Sequence, residues 1–274
     1  MKNPIKLSDI KERFEMAVAA TVAPSAFQRL KQALEQENPR PLLLSGLERD
    51  AKSLFGTPDA PYGYLILGML DAINNRKDDF DKHLDVISAS DIPAMANFFR
   101  LNGLNRMGYF EEATVYLKQM FAASEKTDDP LFLKPLAHLG MLYGFIERPG
   151  RIIERLNKMN SLETNQQDEL ERLHLLLKNT EIDEVVLVSA ILAAKERLKE
   201  IGFQIPTYSF GYSIESDIFI ELKMLCFGSD IDRMAEADEM LSRLLIDMEE
   251  SADANLINFS ISCRPYNRSY GIGS

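Results

Sequence analysis

A chain of 274 residues, 46% of them hydrophobic, can fill one large or two ordinary domains, which excludes a globally disordered protein. The net charge of −11 repels phosphate backbones, and no basic stripe is present, which argues against nucleic acid as a partner. No apolar run reaches the roughly 18 residues of a membrane span, and Cys226 and Cys263 are too few for a disulfide framework.

The apolar stretch 16–23 is too short, and too closely preceded by Lys11, Glu12, Arg13 and Glu15, to read as a secretory leader. The two cysteines then read as reduced core thiols, and the protein as cytoplasmic with no membrane partner. The acidity is uneven. From residue 208 onward twelve Asp and Glu face five Lys and Arg, so that segment carries −7 and the first 207 residues −4. Such a surface serves solubility and also suits a basic protein partner.

In chain order, the spacing predicts helices over 8–20 and 24–37. Ser8 would cap the first, with Ile10, Phe14, Ala17 and Val18 inside; Phe27, Leu30 and Leu34 form the stripe of the second. Residues 42–55 read as a short helix burying Leu44, Leu47, Ala51, Leu54 and Phe55. Gly56, Pro58 and Pro61 then mark a boundary between packing units.

A loose repeat follows. Tyr64, Leu67 and Gly68 lead a helix to about Asn74, and Phe80, Leu84 and Ile87 mark the next. Phe98, Leu101 and Leu104 lead to Gly108, then Ala113, Leu117 and Met120 follow. Asn75 and Gly108, 33 residues apart, hold the same place in the pattern. Both readily take the left-handed conformation that ends a helix. In the third unit, Leu136, Leu139, Tyr143 and Ile146 form one stripe, and Ile152, Ile153, Leu156 and Met159 the next. Pro149 and Gly150 read as the turn between them, and Gly140 as a point where a neighbour comes close.

The words Leu139-Gly140 with Tyr143, and Gly108-Tyr109-Phe110-Glu111-Glu112-Ala113, at a period near 34, resemble the tetratricopeptide repeat family over about residues 57–160. Asn97 stands where that family has an aromatic, and Phe80 and Ile152 where it has a small residue. An irregular all-helical domain is the alternative. The resemblance implies a concave groove for a protein or peptide partner, lined by the first helix of each pair. Carried over unit by unit, it points to Tyr62, Leu65, Met69 and Ile73; to Met95, Phe98, Asn102, Asn105 and Arg106; and to Lys134, Ala137, Met141 and Phe145. Asn102, Asn105 and Arg106 carry amides and a guanidinium suited to a peptide backbone and a carboxylate. The plainer account makes them solvated residues at a helix end.

Beyond the repeat, Thr164 and Gln167 read as a capping box, with Leu170, Leu173, Leu176 and Leu177 inside. The next helix, from Thr180 and Asp183 to Gly202, is apolar nearly all round over 185–194 and is expected to be deeply buried. After Pro206 the period becomes two: Tyr208, Phe210, Tyr212 and Ile214, then Ile218, Ile220 and Leu222. A helix over 230–250 and a strand over 256–263 complete a small α/β unit.

Chemistry-bearing constellations are sparse. His83, His138 and His174 lie on different helices without a ligand partner in the sequence, no cofactor motif is present, and neither a metal site nor a catalytic site is assigned. Asp78, Asp79 and Asp81 read as helix-dipole partners, as do Asp230 and Asp232. Glu215, Asp217 and Glu221 with Asp230 offer the one route to a divalent metal and a hydrolase or nuclease-like activity. Met69, Met107, Met120, Met141 and Met159 read as core filling, with a plastic apolar groove as the alternative.

The expected architecture is mainly α: N-terminal helices over 1–56, a tetratricopeptide-like antiparallel helix-pair array (an α-solenoid) over 57–205, and a small α/β unit over 206–274. The expected function is a non-enzymatic protein-binding scaffold with adaptor, chaperone-like or regulatory duty, needing no cofactor. A carboxylate enzyme is the runner-up, and a homodimer paired through strand edges of the C-terminal unit is a third reading.

Overall fold

The computed structural model describes residues 23–88, 93–159, 164–205, 207–214, 218–228, 230–252, 256 and 258–266. The helix expected over 8–20, the side chains of Thr164 and Gln167, and Glu215 and Asp217 lie outside what is described. The described chain is mainly helical and ends in a small α/β unit. It forms two compact units, Met1–Tyr109 and Phe110–Ser274.

The first unit holds α1 (Ala23–Leu34), α2 (Pro41–Ser53), α3 (Ala60–Ile73), α4 (Lys77–Ser88) and α5 (Pro93–Met107). Proline stands at the start of several of these helices, where its missing N–H has no intrahelical partner to lose. Consecutive helices pack on one another, and α3 touches α1, α2, α4 and α5. Leu47, Leu65, Ile66, Phe80, Leu84, Leu101 and Leu104 form the core around it.

The second unit holds α6 (Phe110–Ser124), α7 (Pro130–Leu142), α8 (Glu147–Lys158), α9 (Thr164–Asn179) and α10 (Glu184–Glu200), then β1 (Thr207–Ile214), β2 (Ile218–Cys226), α11 (Ile231–Ala252) and β3 (Phe259–Pro265). The C-terminal elements therefore belong to the same compact unit as α6–α10. Helices α7 and α9 touch the sheet, and α11 packs on α10 and β3.

Left-handed residues close the helices where expected. Asn75 has φ +56° and Gly108 φ +76°. At Asn75 the Arg76 N–H donates to Asp71 O (2.8 Å), and at Gly108 the Tyr109 N–H donates to Leu104 O (2.9 Å). Gly144 at φ +85° and Gly202 at φ +84° repeat the device, with the Phe145 N–H donating to Gly140 O (3.0 Å) and the Phe203 N–H to Leu198 O (2.9 Å); Glu181 (φ +56°) and Gly56 (φ +79°) are left-handed as well. Asn75, Gly108, Gly144 and Glu181 lie 33, 36 and 37 residues apart, while Gly56 and Gly202 fall outside that spacing.

Gly144 also corrects the third unit. Helix α7 ends at Leu142, and Pro149 and Gly150 lie inside the first turns of α8 rather than between helices. Proline is tolerated there because the first turn donates no intrahelical hydrogen bond. Phe145 and Ile146 accordingly sit in the connection, where the Phe145 N–H donates to Gly140 O at 3.0 Å. The close approach read at Gly140 is present: a Cβ there would collide with the Phe121 ring and lie 2.8 Å from Pro149 Cγ. Helix α10 also departs from expectation. It buries Leu187, Ala190, Ile191, Ala194 and Leu198 but leaves Val185 72% exposed, so one face is open.

Long side chains tie helix ends together within this unit. Arg155 donates to Ser124 O (2.9 Å) and reaches Thr127 O (2.5 Å), while Glu184 accepts from the Ile146 (2.6 Å) and Glu147 (2.8 Å) amides. Each satisfies backbone groups that a helix terminus leaves open.

The sheet has order β1-β2-β3, antiparallel between β1 and β2 and parallel between β2 and β3. Helix α11 makes the crossover that the parallel pair requires. Ile220, Leu222 and Met224 oppose Phe259, Ile261 and Cys263 on the apolar face. Period two then places Glu221, Lys223, Ser262 and Arg264 on the other face.

Candidate functional site

The sequence-derived groove residues fall into three groups. Met69, Met141 and Phe145 are buried core side chains, as are Leu65 and Ala137, and this corrects their assignment to an open groove. The reason is the central position of α3 and α7, which neighbouring helices cover on more than one side. The methionine reading as core filling holds for Met69, Met107, Met120 and Met141.

Arg106 has a structural task. Its guanidinium donates to Leu34 O (3.0 Å) and Gln36 O (2.9 Å) and so finishes α1, and burial lowers its pKa. Asn105 turns its amide back to Leu101 O at 2.9 Å. Tyr62 lies edge-on to Phe27 of α1, with ring centroids 5.9 Å apart. The remaining residues, Met95, Phe98, Asn102 and Lys134, are half-buried or exposed.

Of the C-terminal carboxylates, Glu221 and Asp230 are engaged by their own surroundings. Glu221 accepts from Ser262 (2.5 Å) and pairs with Arg264 at 3.0 Å. Burial alone would raise the Glu221 pKa, but Ser262, Lys223 and Arg264 together outweigh it and hold it low. Asp230 accepts from the Arg233 amide at 3.2 Å and caps α11. On β3, the Cys263 amide donates to Asp238 (2.6 Å), so α11 closes part of that strand's outer edge. Cys226 and Cys263 are buried free thiols; Cys226 Sγ donates to Met224 O at 3.5 Å, and the neighbouring Cys263 and burial raise the Cys226 pKa.

The site that sequence reasoning missed lies in the first unit. A cavity of about 500 Å³ opens among α2, α3 and α4. Pro41, Leu44, Leu67 and Leu70 form its apolar wall, and Ser45, Glu48, Lys52, Asp71, Asn74, Arg76, Asp79 and His83 its polar one. Comparison with models of known families, with curated proteins and with solved structures finds no match. The cavity therefore has to be read from its own chemistry.

Asp71 is the pivot of that chemistry. Its side chain is 3% exposed, and its two oxygens face Arg76 Nη2 at 2.5 Å and His83 Nδ1 at 2.7 Å. A carboxylate only accepts, so Nδ1 carries the ring proton and, in the neutral imidazole, Nε2 keeps its lone pair. The imidazole is 28% exposed and flanked by the Tyr64 ring at 6.0 Å, which in turn stacks on Phe55. Glu48 and Lys52 close on each other at 2.6 Å across one turn of α2, and Lys52 lowers the Glu48 pKa. Asn74 donates back to Leu70 O at 2.8 Å, which leaves its amide oxygen as an acceptor.

Asp71 and His83 are twelve residues apart on two helices, so no sequence spacing flags the pair. The left-handed turn at Asn75 was the available signal. It folds α4 back along α3 and brings His83 beside the residue one turn before the break.

The acidic cluster at the start of α4 divides. Asp78 and Asp79 occupy the first turn, as the dipole argument expects. Asp81 pairs with Lys77 at 2.6 Å and with Arg100 of α5 at 3.1 Å. Among the described residues no group of three or more His, Cys, Asp or Glu is placed to hold a metal ion, and no helix is long and apolar enough to cross a membrane.

Proposed function

We propose that this protein is a non-enzymatic binding scaffold that holds a segment of a protein partner. The cavity among α2, α3 and α4 carries this reading. It combines an apolar wall with hydrogen-bonding groups fixed in place by neighbours, which is the usual make-up of a recognition site. The closures at Asn75, Gly108 and Gly144, 33 and 36 residues apart, support a tetratricopeptide-like array. The proposed partner site lies on the α2–α4 side and not along the first helix of each pair, as the resemblance implied. Adaptor, chaperone-like and regulatory duties all use such a site. The engagement of Glu221 and Asp230 by their own neighbours leaves the carboxylate-enzyme reading second.

The test is selection of peptides from a displayed library on the full chain, run in parallel on Ser45→Trp. That substitution fills the cavity from an exposed position, and circular dichroism checks that the fold is kept. The expected outcome is saturable binding to the native chain that weakens by about tenfold or more in Ser45→Trp. Enrichment of no segment over the variant would overturn the proposal.

A further inference from the structure

The cavity's unengaged chemistry is one-sided. Both cations of its wall already face a carboxylate, Lys52 on Glu48 and Arg76 on Asp71. Among the described residues, His83 Nε2 and Asn74 Oδ1 make no hydrogen bond, and both are acceptors when the imidazole is neutral. Asp79 adds a carboxylate held only by Lys82 at the surface, at 3.2 Å. The wall carries three carboxylates against two cations. Its open positions therefore ask for a donor with positive charge, and the apolar side of Leu44, Leu67 and Leu70 asks for a flat or alkyl body.

We infer that the cavity takes the guanidinium of an arginine side chain from the partner segment. Guanidinium is planar, offers five donors and no acceptor, and is more weakly hydrated than ammonium, so it accepts an apolar wall on its faces while donating at its edge. Nε2 of His83, the Asn74 amide oxygen and the Asp79 carboxylate would receive those donors. Asp71 is a positioning residue here: it holds the imidazole in the tautomer that presents a lone pair. Residues 1–109 carry fourteen Asp and Glu against fourteen Lys and Arg, so the attraction for a cation is local to the cavity wall and not a field of the whole unit. This inference rests on the scaffold reading and names what the segment must contain.

The probes are blocked tripeptides Ala-Arg-Ala, Ala-Lys-Ala and Ala-citrulline-Ala, titrated into the full chain and followed by NMR. Citrulline keeps the shape of arginine and removes its charge. The expected result is saturable shifts confined to residues 41–52 and 67–83 with the arginine peptide, weaker binding by lysine, and loss of about tenfold or more with citrulline. His83→Phe keeps a flat ring but removes the Nε2 lone pair, and Asp79→Asn removes only surface charge. Each should weaken the arginine peptide about threefold to tenfold without unfolding the chain. Equal binding of citrulline, shifts elsewhere, or indifference to both substitutions would overturn the inference. Library-selected segments that bind the cavity without arginine would overturn it while leaving the scaffold reading in place. Failure to select any segment would remove the scaffold reading itself.

Discussion

The two compact units each bury a charged side chain, and they treat it in opposite ways. In the first, Asp71 has Arg76 and His83 on its two oxygens and lies against a cavity. In the second, Lys195 is 1% exposed, with its ammonium 3.4 Å from the centroid of the Tyr143 ring and 6.0 Å from that of Phe110. Burial pushes the Lys195 pKa well below its usual value. The ring faces attract the cation, and desolvation outweighs that attraction. Buried charge by itself therefore does not mark a site. Asp71 organises hydrogen-bonding atoms that face open space, whereas Lys195 stands in the packed interior of its unit.

The sharpest way to break this comparison is at Asp71. Asp71→Ala removes an acceptor shared by Arg76 and His83 and leaves a void beside α4. Denaturant unfolding should show a loss of about 3 kcal/mol. A loss under about 1 kcal/mol would mean the dyad is ornamental to the fold and the contrast with Lys195 collapses.

Lys195→Met tests the other half, with opposite sign. It keeps the length and apolar stem of the side chain and removes the desolvated charge, so it should stabilise by about 2 kcal/mol. The pH dependence follows from linkage. Below its ordinary pKa of 10.5 the unfolded chain carries Lys195 protonated, while in the folded state burial favours release of that proton. Stability therefore rises with pH from the folded pKa up to about 10.5, and falls on acidification through that window. Unfolding midpoints measured from pH 7 to 10 should show this slope in the native chain and lack it in Lys195→Met. Parallel profiles would place the lysine charge in solvent.

The smallest effects sharpen a likeness between the units. Asn75 and Glu181 hold the same left-handed turn, at φ +56° each, with residues that differ in tolerance for it. Asn75→Ala should destabilise the first unit by about 1 kcal/mol, and Glu181→Gly should stabilise the second by about 0.5 to 1 kcal/mol. Thermal melts of the two variants check both. A loss on Glu181→Gly would show that the glutamate side chain has a role beyond the turn.

Much of the fold was legible because it rests on near neighbours. The apolar stripes of α4 and α6 fall where 3.6-residue spacing puts them, that of α2 holds for Leu47, Ala51 and Leu54 but leaves Phe55, past the helix end, 38% exposed, and Asn75 and Gly108 close their helices as their backbone freedom suggests. The strand–strand–helix–strand order of the C-terminal end follows from the change of period after Pro206. The misreading at Pro149 shows the limit. A Pro-Gly pair looks like a break in any sequence, and only the earlier stop at Gly144 turned it into the opening turns of α8. The groove residues failed for a related reason. Spacing puts Met69, Met141 and Arg106 on a helix face, but it does not say which face a neighbour covers.

The sequence by itself determined the helical class, the left-handed closures and the polarity pattern of the sheet, all of which depend on contacts within a few positions along the chain. The tertiary structure alone decided that α3 is enclosed, that Arg106 finishes a helix 70 residues away, and that His83 meets Asp71 beside a cavity. Those outcomes depend on how helices settle against one another, and packing of that kind is a property of many distant side chains at once.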